Sequence, residues 1–207
     1  KKVLRIKPIQ RSLSKIKGNI ILKQTIQIEK VIIRKYTNNK MGEKEENMYN
    51  LNLEFNDIDG NKVDVNSFKG KVLLIVNVAS KCGLTKQNYT ELQEIYDKYE
   101  GKGLRILAFP SNAFKQELKD SCSIKDFAKN EYNVTFNMME KIEINGQNAH
   151  PLYQFLKKEK GRMVTSAILW NFEKFLVDKE GRVVQRYSPK TAPNKIVPDI
   201  EKELEAF

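Results

Sequence analysis

The apolar positions of this chain fall into three kinds of pattern, and their order predicts a fold. Tyr49, Leu51, Leu53 and Phe55 alternate with polar positions, the period of a half-buried strand. A turn cluster follows, Asp57-Ile-Asp59-Gly60-Asn61, with Val63 and Val65 alternating after it, which predicts a β-hairpin. The apolar, β-branched run Val72–Val78 then predicts a buried strand, and it ends at a lone cysteine, Cys82. Next, Tyr89, Leu92, Tyr96 and Tyr99 recur at spacings of 3, 4 and 3, one face of a helix. Thr85 is its expected N-cap, with Leu84 and Tyr89 as a hydrophobic staple. Gly101 and Gly103 stop that helix, and residues 104–109 form a second buried run closed by Pro110. Strand, helix, strand predicts parallel pairing with a right-handed crossover.

Farther on, Ser123-Ile-Lys-Asp126 fits a capping box opening a second helix, with Ile124, Phe127 and Ala128 inward. Asn145-Gly146 reads as a turn, and Pro151 suits the first position of a helix through Leu156 that Gly161 closes, with His150 at its start. Residues 172–177 and 182–187 flank Asp178-Lys-Glu-Gly181, a strong hairpin signal. A last helix opened by Pro198 buries Ile200 and Leu204. The order is ββαβαα, then a β-hairpin and a helix. A βαβ half joined to a ββα half predicts an α/β protein of thioredoxin-like fold: a central mixed sheet flanked by helices, with an N-terminal β-hairpin.

Composition changes this picture in one place. The 207 residues carry a net charge of +11, which resembles a nucleic-acid signal until it is localised. Residues 1–40 hold twelve Lys or Arg against a single acid, Glu29, so the remainder is neutral. Residues 1–47 therefore read as a basic extension and residues 48–207 as the domain. Within the extension Ile6, Ile9, Leu13, Ile16 and Ile20 fall at spacings of 3, 4, 3 and 4, an amphipathic helix period weakened by Pro8 and Gly18. Three readings stand: an organelle transit segment, a helix that seeks a membrane surface, or a disordered or non-native leader. Met41 would start a shorter form, followed by a solvated Gly-Glu-Lys-Glu-Glu-Asn linker. No apolar run approaches the roughly 18 residues of a membrane span. With two cysteines and one histidine, neither a disulfide scaffold nor a zinc site of Cys and His is expected. A neutral domain also argues against nucleic acid as a partner.

The chemistry centres on Cys82. Buried strand, thiol and helix start, in that order, present sulfur at a sheet edge near the positive end of a helix dipole, a setting that favours thiolate. The position three residues on is Thr85, so dithiol exchange through a local CxxC is excluded. A lone activated thiol can instead attack the O–O bond of a hydroperoxide and become sulfenic acid. Donors without charge would stabilise it: the one tryptophan, Trp170, with Asn171 beside it, and Gln116 after the second buried strand.

Four blocks, Asn77-Val-Ala-Ser-Lys-Cys82-Gly-Leu-Thr, Ile106-Leu-Ala-Phe-Pro-Ser-Asn112, Asn145-Gly146 with His150-Pro-Leu-Tyr153, and Trp170-Asn-Phe-Glu-Lys-Phe-Leu-Val-Asp-Lys-Glu-Gly, run in collinear order. Together they resemble the glutathione peroxidase family across residues 48–207. The short connection to Asn145-Gly146 is most similar to the small, monomeric phospholipid-hydroperoxide type. The resemblance implies Cys82 as the peroxidatic residue, with Gln116, Trp170 and Asn171 completing a polar tetrad around it. Lys81 and Gly83 flank Cys82 as in the family motif.

Two departures stand out. The family stretch Asn-Gln-Phe-Gly-x-Gln-Glu is here Asn112-Ala113-Phe114-Lys115-Gln116-Glu117, one residue shorter and with Ala113 for the first Gln, which would displace Gln116. The resolving-cysteine position of thioredoxin-dependent members holds Lys129, and Cys122 lies seven residues earlier, just before the predicted helix. Cys122 is a candidate resolving thiol if that segment moves, since a disulfide needs Cα atoms within about 7 Å. Otherwise the sulfenic acid would go directly to glutathione.

The expected function is a monomeric thiol peroxidase that reduces hydrogen peroxide and organic or lipid hydroperoxides, recycled by glutathione or thioredoxin. No metal, haem or nicotinamide cofactor is implied. It would be cytoplasmic, or mitochondrial or otherwise organellar if residues 1–40 act as a transit segment. Two alternatives are a peroxide sensor that relays oxidation to a partner, and a non-catalytic thioredoxin-fold binding module held at a membrane by residues 1–40.

Overall fold

The computed structural model describes residues 46–51, 53–161 and 165–206. The readings of residues 1–45, including the amphipathic spacing, the transit segment and the linker, lie outside the described residues. Residues 46–207 form one compact unit.

Strand β3 (Val72–Val78) is buried at every position. It lies at the centre of a five-stranded sheet whose described order is β5-β4-β3-β6-β7. Strand β4 (Leu104–Pro110) runs parallel to β3 from Val72↔Leu104 to Val78↔Pro110, as a βαβ unit requires. Strand β6 (Lys174–Val177) pairs antiparallel on the other side, from Leu73↔Val177 to Val76↔Lys174, and β7 (Val183–Tyr187) extends the hairpin outward. A two-residue strand, β5 (Asn137–Met138), adds a parallel partner to β4. Its shortness explains its silence in the sequence, because two residues carry no period.

Because side chains alternate across a strand, β3 feeds two cores. Val72, Leu74, Val76 and Val78 face Tyr89, Leu92, Tyr96 and Tyr99 of helix α1 (Thr85–Tyr99). The same core takes Ile124 and Ala128 of α2 (Ser121–Tyr132) and Ile200 of α4 (Val197–Glu205). Leu73 and Ile75 face the opposite side, against Leu152, Tyr153, Phe155 and Leu156 of α3 (Pro151–Glu159). A mixed sheet with helices on both faces and the βαβ–ββα order is the thioredoxin-like fold expected.

Three local expectations are corrected. The hairpin before β3 is much shorter than the alternation suggests: β1 is Phe55–Asn56 and β2 is Lys62–Val63, paired Phe55↔Val63. Met48–Asn50 is a 3₁₀ turn because the Asn47 side chain accepts the amides of Tyr49 and Asn50. Val65–Phe68 is another, capped by Asp64. Helix α2 starts at Ser121, capped by Asp120, whose side chain accepts the Ser123 amide, so Ser123 is inside the helix rather than its cap. Cys122 is thereby in the first turn of α2 and not in front of it. The third correction, at Thr85, belongs to the site below.

A lysine lies in the core. Lys174, in β6 next to the centre of the sheet, is fully buried, and its Nζ donates to Thr191 O at 2.8 Å and to Pro189 O at 3.4 Å. Burial pulls its ammonium down to about 8, against the opposing charges of Glu91 and Glu173. The unfolded chain, with an ordinary lysine near 10.4, binds more protons than the folded one between these values. Stability should therefore rise as pH climbs from about 8 to about 10.4, by up to ~3 kcal/mol. Urea unfolding across that range should show this rise in the natural sequence and lose it in Lys174→Met; equal slopes would refute the assignment.

Candidate active site

Strands β3 and β4 are parallel and end together, and the segments that leave those ends are where an α/β sheet places its chemistry. Cys82 stands in the turn between β3 and α1 with 8% of its surface exposed, and its thiol is free. Thr85 fastens this turn. Its hydroxyl donates to Ala79 O at 2.7 Å and accepts from the Cys82 amide at 3.2 Å, while its own amide donates to Cys82 O at 3.0 Å. Thr85 is thus the first residue of the helix and not its cap; Leu84 holds that place and makes no side-chain capping bond. Where a CxxC protein would carry its second sulfur, this chain carries a hydroxyl that holds the backbone around the first.

Glu117 fastens the same turn from the β4 side. Its Oε1 accepts from the Ser80 amide (3.0 Å), the Ser80 hydroxyl (2.5 Å) and the Leu118 amide (2.7 Å). Burial pushes its carboxyl up, against the pull of those donors. The neighbouring backbone bond runs from Lys81 N to Gln116 O at 2.9 Å, so the segment carrying Gln116 is clipped to the residue before Cys82. Lys115, at φ +57°, turns the shortened stretch back on itself. Despite the missing residue, Gln116 reaches its partner: Asn171 Nδ2 donates to Gln116 Oε1 at 2.7 Å. With its oxygen occupied, the Gln116 amide nitrogen is left as a donor. Asn171 is fully buried, and its Oδ1 has no hydrogen-bond partner.

Trp170 is 41% exposed and leans on Phe114, ring centroids 5.0 Å apart at 38°. With Leu169, also exposed, the pair forms an apolar rim beside the Gln116–Asn171 bond. Gln116 and Asn171 are thus brought together, and Trp170 adjoins them in sequence and through Phe114. Cys122 has a different setting. Its Sγ is exposed, 3.7 Å from Asp126 Oδ2, and the Asp126 charge pushes its thiol up. His150 caps α3, its Nδ1 accepting from Leu152 N at 3.2 Å while Nε2 lies 3.0 Å from Glu54 O. Among the described residues no group of three or more His, Cys, Asp or Glu could hold a metal ion, and no helix is long and apolar enough to cross a membrane.

Sequence reasoning missed Thr85, Glu117 and Asn77 as parts of this site. Asn77 was visible as the one polar side chain in the run Val72–Val78, and Thr85 by its place three residues after Cys82. Glu117 carried no signal, because its bonds are made across the fold.

Comparison with known proteins gives the family. The glutathione peroxidase family model matches residues 48–157. A "Probable phospholipid hydroperoxide glutathione peroxidase" of Citrus sinensis is 54% identical over 150 residues, 72% of this chain and 90% of its own length. "Probable glutathione peroxidase 3, mitochondrial" of Arabidopsis thaliana is 51% identical over 158 residues, 76% of each chain. Among solved structures, T. cruzi GPX1 superposes with a TM-score of 0.64 at 37% identity, covering 77% of this chain and 97% of its own. A thioredoxin-family thiol:disulfide interchange protein from Chlorobium tepidum, at 14% identity, reaches a TM-score of 0.56 over 73% of this chain and 92% of its own, a likeness of fold alone. The chain belongs to the glutathione peroxidase family. It is a thiol-dependent peroxidase, an oxidoreductase that reduces hydroperoxides. Relatives include organellar forms.

The Thr85 tether yields a direct check. Thr85→Val keeps the shape but strands the Cys82 amide and the Ala79 carbonyl, and should cost about 1–3 kcal/mol in chemical denaturation. An unchanged midpoint would show that the hydroxyl does not hold this turn.

Proposed function

We propose that Cys82 is the sulfur that meets the hydroperoxide, and that Gln116, Trp170 and Asn171 are the polar groups that support it. The observation that carries the reading is the Asn171–Gln116 bond, formed on a segment clipped to the backbone of Lys81. It holds two neutral amides beside the Cys82 turn, where they can donate hydrogen bonds without competing as acids. Cys82 thiolate attacks one peroxide oxygen and the O–O bond breaks. Sulfur keeps that oxygen as sulfenic acid, and the other leaves as water or an alcohol after taking a proton from the site or solvent. Two reducing equivalents from thiols then return Cys82 to its starting state, with release of water.

The substrate class extends from hydrogen peroxide to organic and phospholipid hydroperoxides. The apolar rim of exposed Leu169 and Trp170 with half-buried Phe114 suits an acyl chain, and the Citrus sinensis relative carries a phospholipid hydroperoxide name. The reductant we favour is glutathione acting directly on the sulfenic acid, with no resident cofactor. Cys122 is held on α2 beside Asp126, which disfavours the thiolate needed for attack on Cys82. A second reading, in which Cys122 resolves Cys82 and thioredoxin reduces the disulfide, rests on Cys122 being exposed and free. The protein would act as a monomer. Its location follows residues 1–40, an organelle if they act as a transit segment and the cytoplasm if they do not.

Turnover assays test these points. Cys82→Ser should abolish peroxide reduction, and Trp170→Phe or Asn171→Ala should slow Cys82 oxidation by ~10–1000-fold. Retained turnover in Cys82→Ser would end the reading. Cys122→Ser should leave glutathione-driven turnover unchanged; if thioredoxin drives turnover in the natural sequence and fails only in Cys122→Ser, the second reading replaces the first.

A further inference from the structure

The ladder between β3 and β6 ends at Val76↔Lys174, one residue short of the point where the chain must turn to present Trp170 and Asn171. Asn77 takes over there. Its side chain is fully buried; Oδ1 accepts from the Glu173 amide at 3.0 Å and Nδ2 donates to Trp170 O at 3.2 Å. Its backbone carbonyl accepts from Phe172 N at 2.7 Å. Three bonds from one residue thus enclose the Trp170–Glu173 turn, in which Phe172 is held at φ +65°, a left-handed conformation that a bulky side chain rarely adopts. Phe172 is itself fully buried and meets the Tyr89 ring edge-on, centroids 6.0 Å apart, so its strained backbone is held from both sides.

The far side of this turn is gripped by a buried ion pair. Arg186 Nε donates to Glu173 Oε1 at 2.7 Å, and Glu173 Oε2 accepts from Leu169 N at 3.2 Å. The same guanidinium donates to the carbonyls of Lys160, Ser166 and Ala167, so the segment leading into Trp170 is tied down as well. That pair orients the incoming chain. Asn77 ties the turn to β3 five residues before Cys82.

We infer that Asn77 is a positioning residue of the peroxidase reaction, setting the Trp170–Asn171 pair in register with the Cys82 turn through its side-chain amide. It touches no reacting atom. An aliphatic residue of similar size would fill the space and leave the Trp170 carbonyl and the Glu173 amide unpaired, freeing the turn to rotate away. The inference rests on the reading of Trp170 and Asn171 as supports of Cys82, and the experiment separates the two.

The test compares Asn77→Ser, Asn77→Asp and Asn171→Ala with the natural sequence, each confirmed as folded by circular dichroism. Two quantities are read: the rate of Cys82 oxidation by hydrogen peroxide, and the fluorescence anisotropy decay of Trp170, which reports one site because the chain has a single tryptophan. Both Asn77 variants should slow oxidation by ~10–100-fold, the scale set by a misplaced supporting group. Both should also add a fast component to the Trp170 decay, and Asn77→Ser should slow the Asn171→Ala protein little further. Natural rates with a rigid Trp170 in folded Asn77 variants would overturn the inference, as would slowed oxidation with an unchanged decay. Failure of both variants to fold would make Asn77 a core residue only and would also overturn it. A natural rate in Asn171→Ala would instead remove the site reading beneath it.

Discussion

Strand β3 is buried on both faces, and most of the molecule follows from that constraint. A strand with no solvated face must be covered by helices on each side and flanked by strands on both edges. Helices α1 and α4 meet one face of the sheet, α3 meets the other, and β4 and β6 take the two edges. The strand is also where the site begins. The residues around its end leave the ladder, and their polar groups need partners in a dry interior. Thr85, Glu117 and Asn77 supply those partners, to Ala79 and Cys82, to Ser80, and to the Trp170–Glu173 turn respectively. The bonds that satisfy the strand end are therefore the bonds that shape the surroundings of the sulfur.

This dual duty explains why the site tolerates a changed sequence. The stretch between β4 and α2 is one residue shorter than the expected pattern, yet Gln116 meets Asn171, on a segment anchored at Gln116 to the Lys81 backbone and at Glu117 to Ser80. Within it Lys115 adopts φ +57°. On the other side of the sulfur chemistry, Cys122 is tied by Asp126 to its own helix. The two cysteines are thus in opposite settings, one nearly buried in a turn fastened by Thr85 and the other exposed beside a carboxylate.

How much of this was legible in the residues depends on the range of the interaction. The buried strands 72–78 and 104–110, the Tyr89–Tyr99 helix face and the 174–187 hairpin were readable because period and turn chemistry are local. The short hairpin was overread: the alternation of Tyr49, Leu51, Leu53 and Phe55 is real, but Asn47 and Asp64 divert the backbone into 3₁₀ turns. Strand β5 was missed because two residues have no period. Cys82, Gln116, Trp170 and Asn171 were identifiable as candidates by resemblance, whereas Glu117 was not, since its role depends on where Ser80 lies in space. Thr85 was assigned to the right helix and the wrong task, because its hydroxyl bonds backward to the cysteine turn instead of forward to the helix amides.

The central claim is that this environment, and not the mere presence of a thiol, makes Cys82 reactive. The chain carries its own control in Cys122. The fully reduced protein should be mixed rapidly with less than one equivalent of hydrogen peroxide, its sulfenic acid trapped, and the label assigned to each cysteine by peptide mass spectrometry. The account predicts that Cys82, though nearly buried, is labelled ahead of the exposed Cys122 by ~100-fold or more. Equal labelling of the two thiols, or labelling led by Cys122, would contradict it.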